Sequence, residues 1–245
     1  MARLLPPPLS LLDGAALFLD FDGTLVELAE APDAIRVPGE LPPLLSRLAK
    51  RLGGRLAIVS GRSLGDLDRH LRCDEAAFSG SHGLELRFAG GSVLSVAVPP
   101  DLAEARSEIA AFAQGKEGLL VEEKPAGVAL HFRLAPEREA EALALVEAIA
   151  SRTGLEVQRG KMVAELRPPG ADKGDALAAL MREPPFAGAR PLFVGDDLTD
   201  ERGFEAAARL GGGGVLVGAP RATAALWRLP DVAAVAAWLG AAARA

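Results

Sequence analysis

The stretch from Ala15 to Thr24, AALFLDFDGT, constrains the fold of this chain more than any other. Five apolar residues are followed at once by two acids, Asp20 and Asp22, and then by the turn former Gly23. An apolar run of this length without alternation is typical of a strand buried on both faces, as in a parallel sheet. The acids then lie at its carboxyl end, where open α/β sheets bind ligands. Carboxylates so close together indicate a divalent cation, although an acid-rich turn after a strand is the alternative.

Three further motifs place polar residues at the ends of predicted elements. Ser60 ends the apolar run RLAIVS, Lys173 opens the helical stretch DKGDALAALM, and Asp196 with Asp197 ends the run PLFVGDD. DFDGTL and these three motifs, in this order, resemble the haloacid dehalogenase superfamily of phosphatases. One such motif alone would be a weak signal, whereas four spread over most of the chain form a specific one.

Composition narrows the possible partners. The net charge is −6 without a basic stripe, Tyr is absent and there are two Trp, which disfavours nucleic acid as a partner. No apolar run approaches the roughly 18 residues that would span a membrane. A proline triplet near the N-terminus does not suit a signal-peptide helix, so we expect a cytoplasmic protein. The single Cys73 excludes an internal disulfide.

Hydrophobic periodicity predicts a core in which strands and helices alternate. We expect core helices at about 42–52, 63–71, 172–182 and 199–210, strands at 55–60, 76–79, 192–195 and 214–217, a hairpin around 89–91, and mostly helix after 217. The glycine run 211–214 lacks a Lys-Ser/Thr sequel, so it is interpreted as a plain turn rather than a phosphate cradle. This order predicts an α/β fold with a doubly wound parallel, Rossmann-like sheet.

A different pattern fills the middle of the chain. Two helices, at 101–114 and 137–153, are each followed by a strand pair, at 119–124 with 128–133 and at 155–158 with 162–167. This αββαββ order predicts an inserted α+β domain with its own small antiparallel sheet. Prolines at 99–100 and 168–169 mark its ends. We therefore expect a catalytic core at 1–98 and 169–245 and an inserted cap domain at 99–168.

The residue types at the motifs suit phosphate-ester hydrolysis. Asp20 can act as nucleophile and form an aspartyl-phosphate, and Asp22, two residues on, can serve as general acid and then as general base. Lys173 supplies positive charge, while the Ser60 hydroxyl and the region of Gly61 can donate hydrogen bonds to phosphate oxygens.

Magnesium is the expected cofactor, because an anionic nucleophile meets a phosphate dianion and Mg²⁺ prefers oxygen ligands. Its expected protein ligands are Asp20, the backbone carbonyl of Asp22, and Asp196. Asp197 and Asp200 are expected as inner or outer carboxylates that act through water.

Longer segments resemble the trehalose-6-phosphate phosphatase family. They are GDDLTDE at 195–201, SGSHGLELR at 79–87, LHFR at 130–133, GKMVAELRP at 160–168, and the inserted domain itself. The resemblance implies a type C2 cap that reads a phosphorylated disaccharide. Carried over by motif, the candidate substrate contacts are Lys124, Glu165 and Arg167 in the cap, with Gly61, Arg62, His82 and Glu85 in the core. Ordinary cross-strand salt bridges are the alternative for these charged residues.

The resemblance implies Mg²⁺-dependent hydrolysis of trehalose 6-phosphate to trehalose and phosphate, the last step of trehalose biosynthesis, with a monomer favoured. Two alternatives stay open. One is a related sugar phosphatase that acts on sucrose, glucosylglycerol or mannosylglycerate phosphate. The other is a receiver module with a phosphorylatable aspartate, although receivers lack the second acid of DxD and need no inserted domain of this size.

Overall fold

The structure is a computed structural model that describes residues 4–29, 34–95, 100–160, 162–169 and 172–244. The chain forms two compact units. Residues 1–94 and 171–245 make up the first, called here the core unit, and residues 95–170 make up the second, called the inserted unit.

The elements of the structure are numbered here in chain order. The strands are β1 (Ala15–Leu19), β2 (Leu56–Val59), β3 (Ala77–Gly80), β4 (Glu85–Arg87), β5 (Val93–Ser95), β6 (Leu120–Lys124), β7 (Gly127–His131), β8 (Glu156–Gly160), β9 (Val163–Arg167), β10 (Arg190–Gly195), β11 (Gly213–Val217) and β12 (Trp227–Leu229). The helices are α1 (Leu41–Arg51), α2 (Leu64–His70), α3 (Asp101–Ala113), α4 (Glu139–Arg152), α5 (Lys173–Leu180), α6 (Glu201–Arg209) and α7 (Val232–Ala242).

The core unit is built on an eight-stranded sheet in the order β12-β11-β10-β1-β2-β3-β4-β5. The strands from β12 to β3 pair in parallel, and β4 pairs antiparallel to β3. The last residue of β1, Leu19, lies opposite Val194 of β10 and Ile58 of β2. Because the three strands are parallel and in register, the residues that follow them meet at one edge of the sheet.

Helices cover both faces of this sheet, which confirms the doubly wound α/β fold. Leu17 and Leu19 of β1 belong to a hydrophobic cluster that also contains side chains of α1, α2 and α7. Ala16 and Phe18 belong to a second cluster, with side chains of α5 and α6. Successive residues of a strand point to opposite faces, so an unbroken apolar run supplies both clusters.

Glycines allow α6 to lie close to the sheet. A Cβ at Gly203 of α6 would lie 2.7 Å from the ring of Phe193, and one at Gly214 of β11 would lie 2.5 Å from the ring of Phe204. The run 211–214 is therefore a turn only in its first half. The interpretation as a plain turn is wrong for Gly213, which begins β11 one residue before the strand expected at 214–217.

The expectation of mostly helix after residue 217 is wrong for Trp227–Leu229. These residues form β12, which pairs in parallel with β11. The backbone N–H of Arg228 also donates to the carbonyl of Leu5, at 3.0 Å. A three-residue strand whose partners lie this far away in the sequence has too little periodicity of its own to be recognised.

The inserted unit has an antiparallel sheet in the order β6-β7-β9-β8. Val128, Leu130, Ala164 and Leu166 of its central strands form a buried cluster with side chains of α3 and α4. The alternate residues of the same strands lie on the opposite face, which carries charged side chains. Among the described residues of the whole chain, no helix is long and apolar enough to cross a membrane.

Candidate active site

A buried lysine links two acids at the carboxyl edge of the core sheet. Asp20 directly follows β1, and Lys173 is the first residue of α5. The Lys173 Nζ lies 2.7 Å from Asp20 Oδ1 and 2.6 Å from Asp200 Oδ1. The relative exposures of these side chains are 4% for Lys173, 5% for Asp20 and 0% for Asp200. A cation at a helix N-terminus is disfavoured by the helix dipole, and the two carboxylates compensate for this.

Asp196, which follows β10, completes a cluster of three acids. The ligand oxygens of Asp20, Asp196 and Asp200 all lie within 4.8 Å of one another. Burial raises the pKa of Asp20 well above its usual value; Lys173 opposes this shift, and the other two acids reinforce it. Burial, with Asp200 as the second cause, raises the pKa of Asp196 to about 6. Burial alone would lower the pKa of Lys173, but the two acids that it contacts outweigh this effect and raise it.

The donor set of this cluster fits a hard divalent cation such as Mg²⁺. All its donors are carboxylate oxygens, and three acids share one lysine. The raised pKa values of Asp20 and Asp196 reflect negative charge that is crowded and poorly hydrated. A divalent cation would relieve that crowding.

The turn after β1 leaves room for one of these acids. Gly23 has a φ of +82°, which favours glycine, and a Cβ at this position would lie 2.2 Å from Asp196 Oδ2. The Thr24 hydroxyl donates to Asp196 Oδ1 at 3.4 Å. The sequence pattern marks Gly23 only as a turn former and does not single out Thr24. Both residues hold the Asp196 carboxylate against the DGT turn.

Asp22 forms a two-point ion pair with Arg62. The Arg62 Nε donates to Asp22 Oδ2 at 2.7 Å, and its Nη2 donates to Asp22 Oδ1 at 2.9 Å. The Arg62 Nη1 also donates to Asp66 Oδ2 of α2, at 2.6 Å. The Arg62 guanidinium thus lies on two acids of the protein, and the substrate contact that the resemblance implies for it stays a prediction.

Ser60, Gly61 and His82 lie together beyond the end of β2. The Ser60 Oγ accepts from the backbone N–H of Arg62 at 3.1 Å, and the Ser60 carbonyl accepts from that of His82 at 3.0 Å. His82 has a φ of 55°, and its imidazole lies on Gly61, where a Cβ would be 2.5 Å from the His82 Nε2. The absence of a side chain at Gly61 therefore leaves the space that the His82 ring occupies.

Glu85 holds the backbone next to this group. Its Oε2 accepts from the Ser81 hydroxyl at 2.8 Å and from the backbone N–H of Leu64, the first residue of α2, at 3.3 Å. These contacts fix the bend between β3 and β4 against the start of a helix. They are local structural bonds, in addition to the substrate contact that the resemblance implies.

Asp197 lies outside the acidic cluster that the described residues form. Its side chain is exposed and accepts from the backbone N–H of Leu198 at 2.5 Å, which caps the short 3₁₀ helix 198–200. Its own backbone N–H donates to Asp200 Oδ2 at 2.9 Å. Asp197 thus contacts the acidic cluster through its backbone N–H, which donates to the Asp200 carboxylate, while its own side chain caps the 3₁₀ helix.

The candidate substrate contacts of the inserted unit form ion pairs on the polar face of its sheet. The Lys124 Nζ lies 2.5 Å from Glu165 Oε2, and the Arg167 Nη2 lies 2.7 Å from Glu156 Oε1. Within the described part of the chain, Glu165 Oε1 and the Nε and Nη1 of Arg167 are buried without a hydrogen-bond partner. Unsatisfied buried groups are costly, so the salt-bridge alternative accounts for only part of this arrangement.

Comparison with known proteins identifies the family. A family model described as trehalose-phosphatase matches residues 18–232. The chain belongs to the trehalose-phosphatase family. It is 45% identical over 227 residues to a probable trehalose-phosphate phosphatase of Sinorhizobium fredii, covering 91% of this chain and 86% of that protein.

Two other similarities agree with this family. The chain is 40% identical over 226 residues to a trehalose-6-phosphate phosphatase of Escherichia coli, covering 91% of this chain and 85% of the relative. A crystal structure of a trehalose-6-phosphate phosphatase related protein superposes with a TM-score of 0.79 at 28% identity, covering 93% and 96% of the two chains. Membership in the trehalose-phosphatase family, a family of phosphoric monoester hydrolases, argues against the receiver-module alternative.

Arg221 lies near this site, and the sequence did not reveal it as a candidate site residue. It lies in the loop after β11, and its Nη2 donates to the carbonyls of Asp197 at 2.8 Å and Asp196 at 3.3 Å. A loop arginine has no periodicity or motif to mark it, so no signal in the sequence could have found it.

Proposed function

We propose that this chain catalyses the Mg²⁺-dependent hydrolysis of trehalose 6-phosphate to trehalose and phosphate, as the last step of trehalose biosynthesis. The observation that carries the proposal is the buried Lys173 between Asp20 and Asp200, with Asp196 in the same cluster, in a chain of the trehalose-phosphatase family. The substrate is taken from the names of the relatives with 45% and 40% identity.

Asp20 is the nucleophile in this proposal. The contact of Lys173 with Asp20 Oδ1 orients the carboxylate and lowers the repulsion that an incoming phosphate would meet. Attack by Asp20 on phosphorus breaks the bond to the sugar oxygen and leaves an aspartyl-phosphate. Water then attacks this phosphorus, which releases phosphate and restores the Asp20 carboxylate.

Asp22 transfers the proton. Its side chain is 29% exposed and is oriented by the two hydrogen bonds from Arg62. In the first step it would donate a proton to the departing sugar oxygen, and in the second it would take a proton from the attacking water. The Ser60 hydroxyl and the backbone near Gly61, at the same edge of the sheet, would bind phosphate oxygens.

The proposed protein ligands of Mg²⁺ are Asp20, Asp196 and the backbone carbonyl of Asp22. Asp197 and Asp200 would contact the ion as further carboxylates, through water. When bound, the ion offsets the negative charge of the phosphate and of the carboxylates around it. Asp200 would work through its contacts with Lys173 and with the backbone of Asp197.

Lys124, Glu165 and Arg167 of the inserted unit are proposed to bind the sugar hydroxyls. Arg62, His82 and Glu85 of the core unit are proposed to assist them. The buried atoms of Glu165 and Arg167 that have no partner among the described residues support this role. A site that pairs many hydroxyls rejects substrates that lack them, because its own polar groups would be left unpaired. The division into a catalytic core at 1–98 and 169–245 and a sugar-reading cap at 99–168 belongs to the same proposal.

The test is phosphate release with Mg²⁺ from a panel of sugar phosphates by the wild type and Asp20→Asn. The panel contains trehalose 6-phosphate and the sucrose, glucosylglycerol and mannosylglycerate phosphates. We expect selective release from trehalose 6-phosphate that Asp20→Asn abolishes. Preference for another sugar phosphate would overturn the substrate, and activity that persists in the variant would overturn the mechanism. A monomeric state and a cytoplasmic location stay predictions, which size-exclusion chromatography with light scattering and cell fractionation can check.

A further inference from the structure

Arg221 ties the loop after β11 to the segment that carries Asp196. In addition to its bonds to the carbonyls of Asp196 and Asp197, its Nη1 forms an ion pair with Glu201 Oε1 of α6. The same Nη1 donates to the carbonyl of Ala222 at 3.2 Å. One guanidinium therefore connects three parts of the chain: the residues after β10, the start of α6, and its own loop.

Glu201 makes the connection two-sided. While one of its carboxylate oxygens pairs with Arg221, its Oε2 accepts from the backbone N–H of Ala224 at 2.8 Å. The side chains of Arg221 and Glu201 are 24% and 19% exposed. Charge-assisted hydrogen bonds that are partly shielded from water hold geometry better than exposed ion pairs do.

The surroundings make these polar contacts important for the position of Asp196. The lining of a cleft of about 470 Å³ includes Asp196, Arg221, Gly23, the end of β11 and the loop residues 218–220. Gly23 and Thr24 hold its carboxylate, and Arg221 holds its carbonyl.

We propose that Arg221 is a positioning residue that sets the divalent-cation affinity of the acidic cluster by holding the backbone of Asp196. This inference rests on the metal site of the proposed function and adds a residue from outside its motifs. Among the described residues, the hydrogen bonds of the Arg221 side chain go to backbone carbonyls and to Glu201, so we expect it to act through the backbone of Asp196. Residues that orient metal ligands in this way commonly change metal affinity by about 10- to 100-fold when they are removed.

The test measures Mn²⁺ binding to the full chain by the loss of the free Mn²⁺ signal in electron paramagnetic resonance, with the metal alone and no substrate. We expect Arg221→Ala to weaken binding about tenfold, the lower end of the range for residues behind a metal ligand. Arg221→Lys keeps the positive charge but loses the two-pronged guanidinium, so its Mn²⁺ affinity should lie between those of Arg221→Ala and the wild type. Arg209→Ala, which removes an exposed arginine at the end of α6 opposite to Glu201, should bind Mn²⁺ as the wild type does.

Wild-type Mn²⁺ affinity in both Arg221 variants would overturn the proposal. If Arg221→Ala fails to fold by circular dichroism, Glu201→Gln provides a milder break of the same connection and should weaken binding several-fold; wild-type affinity there would overturn the proposal as well. A second readout is kinetic, because excess Mg²⁺ should restore the kcat of Arg221→Ala while the KM for trehalose 6-phosphate stays unchanged.

The same experiment separates this inference from the proposed function. Asp196→Asn should lose most of the Mn²⁺ binding, which identifies the site being titrated. A wild type that binds Mn²⁺ at Asp196 but releases no phosphate from trehalose 6-phosphate would overturn the substrate and leave the role of Arg221 supported by its own variants. A wild type that binds no Mn²⁺ would overturn both.

Discussion

Arg62 donates two hydrogen bonds to Asp22, so the proposed general acid is oriented by the protein itself. We expect Arg62→Ala to lower kcat for trehalose 6-phosphate by about 10²-fold, the lower end of what a general acid contributes. The loss should be much smaller for 4-nitrophenyl phosphate, whose leaving group needs little protonation. Steady-state kinetics on both substrates check this. Arg69→Ala, which removes a 72% exposed arginine of α2, is the control. Equal losses on the two esters would show that Arg62 serves binding or folding instead.

Removing the cation between Asp20 and Asp200 should affect stability as well as turnover. Lys173→Met leaves the buried carboxylates without their partner, and breaking such a pair typically costs about 3–5 kcal/mol. We expect a loss of this size in the free energy of unfolding in urea without metal, partly restored by Mg²⁺. Phosphate release should fall below detection. A variant as stable as the wild type in metal-free buffer would contradict the crowding of charge inferred for this cluster.

The raised pKa of Asp196 predicts a pH dependence for the metal-free protein. Because its folded-state pKa is about 6 and the ordinary value is 3.8, the folded state binds a proton that the unfolded state has already released. Its stabilising contribution is therefore complete below the ordinary value and is lost as the pH rises toward and through 6. At 1.36 kcal/mol for each pKa unit, the change amounts to at most about 3 kcal/mol.

This contribution can be isolated by comparing unfolding free energies of the wild type and Asp196→Asn between pH 4 and pH 7 in the presence of a chelator. The difference between them should shift in favour of the variant as the pH rises. A difference that does not change with pH would mean that Asp196 titrates at its ordinary value in the folded protein.

The close approach of Gly23 to Asp196 predicts that alanine is not tolerated there. Gly23→Ala adds a Cβ that would lie 2.2 Å from Asp196 Oδ2, so the carboxylate must move and Mn²⁺ binding should weaken by about tenfold or more. Gly14→Ala is the matched control, since Gly14 also has a positive φ, of +68°, but its Cβ would meet nothing within 4 Å. Both variants carry the backbone strain of about 1–2 kcal/mol, and only the first should lose metal affinity.

Glu165 allows a test of sugar reading by the inserted unit. Glu165→Ala should reduce kcat/KM for trehalose 6-phosphate by on the order of 10²-fold or more, because a hydroxyl partner is lost from a buried polar site. Hydrolysis of 4-nitrophenyl phosphate should change little. Glu147→Ala removes an acid of the same unit whose side chain is 51% exposed, and it should behave as the wild type. Equal losses of kcat/KM on both substrates would show that Glu165 supports the fold and does not recognise the sugar.

The parts of this protein that could be predicted from its sequence are those encoded locally. The apolar run before Asp20, the serine before α2 and the opening of α5 each carry their own pattern, and the structure has those elements within a residue or two. The serine, Ser63, accepts from the backbone N–H of Asp66, as expected of an N-cap.

What could not be predicted depends on pairs that are distant in sequence. Arg62 is 40 residues from Asp22, and Arg221 is 25 residues from Asp196. The sequence did not identify the partner of either arginine, because a single charged residue does not specify which acid or carbonyl the fold will bring next to it. The short β12 was missed for the same reason, since its strand geometry comes from β11 and Leu5.

The close packing of α6 on the sheet limits how this protein can be engineered. Replacing glycines by alanine is a common way to raise thermal stability, because it reduces the freedom of the unfolded chain. At Gly203 and Gly214 the added methyl group would meet Phe193 and Phe204, and the helix would have to lift. Asp200 immediately precedes that helix, so lifting it would separate Asp200 from Lys173. These two glycines, which touch no substrate in the proposed reaction, set the spacing on which the acid and the lysine depend.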